Sequence, residues 1–143
     1  IRNALPVLGE GPFITVNCDA IWTGNVLPRL VETYERAQDT FGVLLLQPTV
    51  RVPEYTKMGD FCLTPEGLLQ RRPDGHVAPF VYTGIQLLSP ALFEGAPTGA
   101  FSMVQMFYEG IEKGILRGVV HDADWQPFGT YEELLIANKR YAA

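Results

Sequence analysis

The stretch from Gly42 to Gln47 (GVLLLQ) constrains the fold most, because its four central residues offer no polar side chain to water. Strand side chains point alternately to the two faces of a sheet, so a half-exposed strand alternates and a continuous apolar run must be covered on both sides. The segments before it supply the cover. Pro12 to Cys18 (PFITVNC) is a short β-branched strand that stops at Asp19. Asn25 then opens a helix with Leu27, Leu30, Val31, Tyr34 and Ala37 at three- and four-residue spacing. Strand, amphipathic helix and fully apolar strand together predict a βαβ unit in a mostly parallel sheet.

The middle of the chain departs from that pattern. Asp60 to Thr64 and Leu68 to Arg72 flank the turn Pro65-Glu66-Gly67 and read as a β-hairpin. Phe80 to Leu88 is a longer strand interrupted at Gly84. Phe101 to Lys113 has helical periodicity through Val104, Phe107, Tyr108 and Ile111, with Ser102 near its start and Gly114 as its stop. Ile115 to His121 is another strand. Thr130 to Glu133 is a capping box that opens a last helix bearing Leu134, Leu135, Ala137 and Tyr141. The expected architecture is α/β, with a mixed sheet and a hairpin insertion.

Composition sets the outer limits. The 143 residues suit one domain, and a 47% hydrophobic, 19% charged chain is globular. Net charge is −5 and the charges are scattered, so there is no footprint for a nucleic-acid backbone. No apolar run approaches the roughly 20 residues of a membrane span. Cys18 and Cys62 lie in apolar strand-like runs and read as reduced core cysteines, and two histidines are too few for a histidine-built metal site. A soluble, acidic, cytoplasmic domain is the expectation.

Few residues stand out for chemistry. Asp19, just past the carboxyl end of a buried strand, occupies the place where open α/β sheets bind ligands, and hard cations favour its oxygens. A simple cap or turn is the alternative. Asp122 and Asp124 share one side of an extended segment and suit a divalent ion bridging a diphosphate, as in D-x-D glycosyltransferases; an ordinary acidic loop is the alternative. Arg71 and Arg72 close the hairpin and could grip a phosphate, or simply end a solvated strand. Gly9-Glu10-Gly11 precedes a strand instead of joining strand to helix, so it reads as a turn. Ser89 and Ser102 lack a nucleophile elbow.

In order along the chain, Ile1 to Pro6 (IRNALP), Val16 to Trp22 (VNCDAIW), Gly59-Asp60-Phe61, Tyr82 to Ile85 (YTGI), Ser89 to Phe93 (SPALF), Gly99 to Ser102 (GAFS) and Trp125 with Phe128-Gly129-Thr130 resemble the sugar-1-phosphate nucleotidyltransferases. The N-acetylmuramate-1-phosphate uridylyltransferase and mannose-1-phosphate guanylyltransferase-like branch is the nearest in pattern. The resemblance implies a Rossmann-like three-layer fold. It also implies transfer of a nucleoside monophosphate from a nucleoside triphosphate to a sugar-1-phosphate, with Mg²⁺ and release of pyrophosphate. On residue-level match, Asp19 would hold the metal and be the catalytic carboxylate, and Asn17 would support its loop. Gly59 would admit the sugar, Thr83 and Gly84 would line its pocket, and Arg72 would supply a cationic ligand.

Two departures follow from the same comparison. The family's G-x-G-T-R signature with its downstream P-K is not found in these residues, so the chain reads as the carboxyl-terminal portion of a nucleotidyltransferase domain, 1–143, incomplete at its amino end. The Phe13 to Cys18 strand would then show an open edge, covered by a missing amino-terminal half or by a second copy. In the family's W-x-D-x-G-T motif, Pro127 stands where the second metal-binding Asp is expected, leaving Asp124 as the substitute candidate. A catalytically impaired relative that binds a sugar phosphate or nucleotide-sugar without turnover is the alternative.

Overall fold

The structure is a computed structural model that describes residues 1–52 and 58–141. A 3₁₀ turn at Arg2–Ala4 leads into the single-turn helix α1 (Leu5–Leu8), and then come β1 (Phe13–Val16), β2 (Ala20–Trp22), α2 (Val26–Arg36) and β3 (Gly42–Pro48). The hairpin strands β4 (Phe61–Leu63) and β5 (Leu69–Arg71) precede the long β6 (Phe80–Leu88). The chain ends with α3 (Met103–Glu112), β7 (Leu116–Val120), β8 (Trp125–Pro127) and α4 (Tyr131–Tyr141).

β3 lies inside the main sheet, parallel to β7 on one side and antiparallel to β6 on the other. The far edge of β6 is divided. Its residues 85–88 pair with β1, and its first residue, Phe80, pairs with Phe61 of β4. Both β1 and β3 oppose β6, so they run parallel to each other with β6 between them. The β1–α2–β3 crossover therefore exists, but the expectation of a mostly parallel sheet does not hold. An antiparallel strand has entered between the two parallel ones, and β3–β7 is the only parallel pair among the described residues.

β3 is covered on both faces, as its composition requires. Val43 and Leu45 pack with Val26 and Leu30 of α2, whereas Leu44 and Leu46 pack in the cluster that holds Phe107 of α3. Burying one such leucine fully is worth roughly 2–3 kcal/mol. The other helix faces are less covered than their periodicity predicts. On α2, Leu27 and Val31 lie open. So do Ile14 and Val16 of β1, which pair with Leu87 and Ile85 on the sheet face that α2 covers. Val104 of α3 is 47% exposed while Met106, Phe107 and Gly110 are buried, and α4 buries Ala137 alone. Cys18 is exposed and Cys62 half-buried, both free, so Cys18 is not the core cysteine expected.

The hairpin curls the sheet back on itself. Its turn reaches β7 through a Leu68–Arg117 bridge, and the Gly118 amide donates to the Gly67 carbonyl at 3.0 Å. Arg117 adds two bonds, from Nη1 to the Glu66 carbonyl (2.8 Å) and from Nε to Thr40 Oγ1 (3.0 Å). The predicted capping box is present: the Glu133 amide donates to Thr130 Oγ1, and Glu133 Oε2 accepts from the Thr130 amide.

Candidate functional site

A two-stranded ribbon that the sequence did not reveal builds the site. β2 pairs antiparallel with β8, Ala20 opposite Pro127 and Trp22 opposite Trp125. The Phe128 amide donates to the Asp19 carbonyl at 2.8 Å. Three-residue strands give no periodic signal, and Trp125-Gln126-Pro127 reads as loop until Ala20–Trp22 is seen beside it.

This ribbon brings Asp19 and Pro127 onto one cavity of about 280 Å³, although they are 108 positions apart in the chain. Asn17, Thr83, Gly84, Asp60 and Tyr82 line it as well. Asn17 is fixed from β6, its amide donating to the Gly84 carbonyl at 2.9 Å. The hydroxyl of Thr83 is engaged within the sheet. It donates to the Leu45 carbonyl (2.9 Å) and accepts from the Ile85 amide (3.3 Å), and the side chain is buried. Thr83 thus shapes the wall, and its carbonyl holds the indole N–H of Trp125 at 3.1 Å.

Gly59 and Arg72 line a second, neighbouring cavity of about 170 Å³. The two cavities share Asp60 and Tyr82. Asp60 Oδ2 accepts from the Tyr82 amide at 2.8 Å, which fixes the carboxylate at the junction. Its place at the base of the hairpin, next to Gly59, is the sequence cue that could have found it. Gly59 is needed by the backbone itself: its φ is +74°, and a Cβ there would lie 2.3 Å from the Ala78 carbonyl oxygen. Burial pushes the Tyr82 phenol well above its ordinary pKa.

The other charged candidates have partners of their own. Asp122 pairs with Arg29 at 2.9 Å, and Asp124 with Arg140 of α4 at 3.2 Å. Neither carboxylate lines either cavity. Arg71 lies over the Tyr108 ring, 3.9 Å from its centroid, with Glu112 at 3.8 Å. Arg72 Nη1 donates to the His76 carbonyl at 3.1 Å.

Among the described residues no three His, Cys, Asp or Glu side chains gather as a metal cage. Mg²⁺ does not require one, since it binds through one or two carboxylates together with substrate phosphates. Asp19 and Asp60 are the carboxylates that line the larger cavity, so either could serve as such a ligand. No described helix is long and apolar enough to cross a membrane.

No protein-family model matches the chain. Solved structures define its fold class. A Bacillus anthracis structure described as a glucose-1-phosphate thymidylyltransferase, in complex with a sucrose, superposes with a TM-score of 0.75 at 19% identity, covering 97% of this chain and 58% of its own. An apo UDP-glucose pyrophosphorylase superposes with a TM-score of 0.77 at 14% identity, covering 99% and 57%. The fold is that of the sugar-1-phosphate nucleotidyltransferases. Sequence similarity points to one branch: the N-acetylmuramate alpha-1-phosphate uridylyltransferase of Caulobacter vibrioides is 30% identical over 99% of the chain, and that of Neisseria meningitidis serogroup B is 26% identical over 91%. The chain spans 60% and 55% of those two relatives' lengths. The resemblance read from the sequence is borne out over nearly the whole chain.

Proposed function

We propose that this chain carries the sugar-phosphate side of a site that transfers a nucleoside monophosphate from a nucleoside triphosphate to a sugar-1-phosphate. In that reaction a phosphate oxygen of the sugar-1-phosphate forms a bond to the α-phosphorus. The bond from the α-phosphorus to the bridging oxygen breaks, and pyrophosphate leaves with the electron pair. Little covalent chemistry is asked of the protein, so positioning and charge neutralisation carry the rate. The observation that supports the reading is the convergence of Asp19, Asn17, Gly84 and Pro127, distant in sequence, on one cavity in a fold of this class.

In this reading Asp19 holds Mg²⁺, which when bound offsets the charge of the substrate phosphates. Asn17 keeps the Asp19 loop against β6, and Gly84 and the Thr83 backbone form the wall on which the sugar phosphate rests. Gly59 and Arg72 bound the adjoining part of the cleft. A reaction that consumes nucleoside triphosphate belongs in the cytoplasm. We further propose that the open edge of β1 is covered by a strand outside these residues, with a second copy of the chain as the other candidate.

Pyrophosphate release by the whole protein, measured across several triphosphates and sugar phosphates with Mg²⁺, tests the proposal. Release with at least one pair supports it, and no release with any pair contradicts it. Pro127 favours a second reading, in which a sugar phosphate or nucleotide-sugar is bound without turnover, because it brings no ligand side chain to the cavity that Asp19 lines. Binding with no release would select that reading.

A further inference from the structure

The β2–β8 ribbon next to Asp19 pairs with no strand of the main sheet among the described residues, so side chains must fix its position. Trp125 supplies one such bond, from its indole to the Thr83 carbonyl. The others gather where β7 runs into β8, at three consecutive carbonyls. Arg51 Nη1 donates to the Asp122 carbonyl at 2.6 Å, Gln47 Nε2 to that of Ala123 at 3.3 Å, and His121 Nε2 to that of Asp124 at 3.2 Å. A carbonyl only accepts, so His121 carries a proton on Nε2. The Thr23 amide, just past β2, donates to the same Asp124 carbonyl at 2.9 Å.

His121 belongs to both sheets. Its amide donates to the Leu46 carbonyl at 2.7 Å and extends β7 along β3, while its ring reaches the ribbon at Asp124. Gln47, the residue after Leu46, reaches across in the same way to Ala123. Both side chains are buried, each only 1% exposed. The chain leaving β2 lies over them: a Cβ on Gly24 would stand 3.8 Å from His121 Cε1 and 3.2 Å from the Ala123 Cβ. Gln47 Oε1 and His121 Nδ1 have no partner among the described residues. A buried polar atom left in that way weakens a fold relative to an apolar side chain of similar size. What the pair contributes is therefore geometry and not strength.

We infer that His121 and Gln47 are positioning residues for the Asp19 cavity: by holding the Asp124 and Ala123 carbonyls they set the tilt of the ribbon, and with it the place of Asp19. The inference rests on the nucleotidyltransferase reading and adds to it two residues that line neither cavity. The lever is short. Phe128, whose amide donates to the Asp19 carbonyl at 2.8 Å, lies four residues beyond Asp124. Four strand residues span about 13 Å, so a tilt of about 5° at Asp124 moves Asp19 by about 1 Å. A misplacement of about 1 Å costs up to about a hundred-fold in rate when reacting groups must be aligned.

The test uses the whole protein and three variants. In His121→Gln the amide nitrogen stands near the place of Nε2, and in His121→Asn near that of Nδ1; Gln47→Met removes the donor to Ala123 and keeps the volume. Pyrophosphate release with Mg²⁺ gives kcat and KM, and amide hydrogen exchange followed by NMR gives the hold on the ribbon. His121→Asn and Gln47→Met are expected to lower kcat about ten-fold or more, with KM for the sugar-1-phosphate within about three-fold of wild type. Both should accelerate exchange of the Phe128 amide about ten-fold or more and leave the β3 amides unchanged. His121→Gln should restore both readouts to within about three-fold of wild type. Unchanged kcat in His121→Asn, or a His121→Gln variant as impaired as His121→Asn, overturns the inference and leaves the nucleotidyltransferase reading intact. Exchange that accelerates equally in β3 also overturns it, because the pair then only stabilises the fold. If the wild-type protein releases no pyrophosphate, the reading beneath falls and exchange alone decides: acceleration confined to the ribbon upholds the positioning role, and none overturns it.

Discussion

The side chain of Asn17 lies directly over the Cα of Gly84, so close that a Cβ on Gly84 would sit 2.6 Å from Asn17 Cγ. The contact joins the end of β1 to the middle of β6 and sets where the Asp19 loop leaves the sheet. Gly84 also has φ +81°, in the left-handed region. Gly84→Ala therefore meets both a backbone and a packing penalty, and we expect a loss of about 2–4 kcal/mol in chemical denaturation. A loss below about 0.5 kcal/mol would show that the two strands separate freely there.

Tyr82 gives the chain an alkaline signature. Burial raises its pKa in the folded state, whereas in the unfolded chain it ionises near the ordinary value of about 10. Above that pH the unfolded chain binds fewer protons than the folded one. The stability that Tyr82 contributes is thus complete below about pH 10 and declines as pH rises beyond it. Tyr82→Phe should flatten the alkaline part of the stability profile and remove one late-ionising phenol from the ultraviolet titration. Unchanged curves would place Tyr82 in contact with solvent.

Arg117 ties the hairpin turn to β7 through Glu66 and to Thr40. Arg117→Met keeps much of the apolar stem and removes both bonds, at an expected cost of about 1.5–3 kcal/mol. Amide hydrogen exchange at residues 64–68 should accelerate more than exchange in β3. Equal acceleration throughout would mean that Arg117 supports the whole sheet and not the hairpin.

The β1 edge should be sticky. Among the described residues β1 pairs with β6 alone, and Ile14, Val16, Leu27 and Val31 are open on the face beside it. An unpaired strand edge with apolar neighbours invites another strand. The isolated 143-residue chain should therefore self-associate in sedimentation velocity, and Val16→Lys should reduce the association. A wild-type chain that stays monomeric at high micromolar concentration would contradict this.

The fold was legible where burial dictated composition. Val43 to Leu46 announced a strand covered on both faces, and the capping box at Thr130 marked the start of α4 within a residue. The order of strands in the sheet was not legible, because the insertion of β6 between β1 and β3 is a long-range choice that no local pattern records. Helix faces misled where the chain leaves its periodicity uncovered, as at Leu27 and Val31. In the site, motif resemblance found Asn17, Asp19 and Gly84, which converge on one cavity. Resemblance alone could not separate Arg72 and Gly59 from them, since the division of the cleft comes from the fixed Asp60–Tyr82 pair. Nor could it show that Asp124, the substitute metal ligand, is held by Arg140 on a helix 16 positions away.

Asp19 is the centre of the account, and backbone NMR of the labelled chain titrated with a sugar-1-phosphate and Mg²⁺ tests it most directly. The expected result is a set of shift changes centred on Asn17, Asp19 and Gly84 that vanishes in Asp19→Asn while the rest of the spectrum stays folded. Changes that map away from these residues, or that persist unaltered in Asp19→Asn, would contradict it.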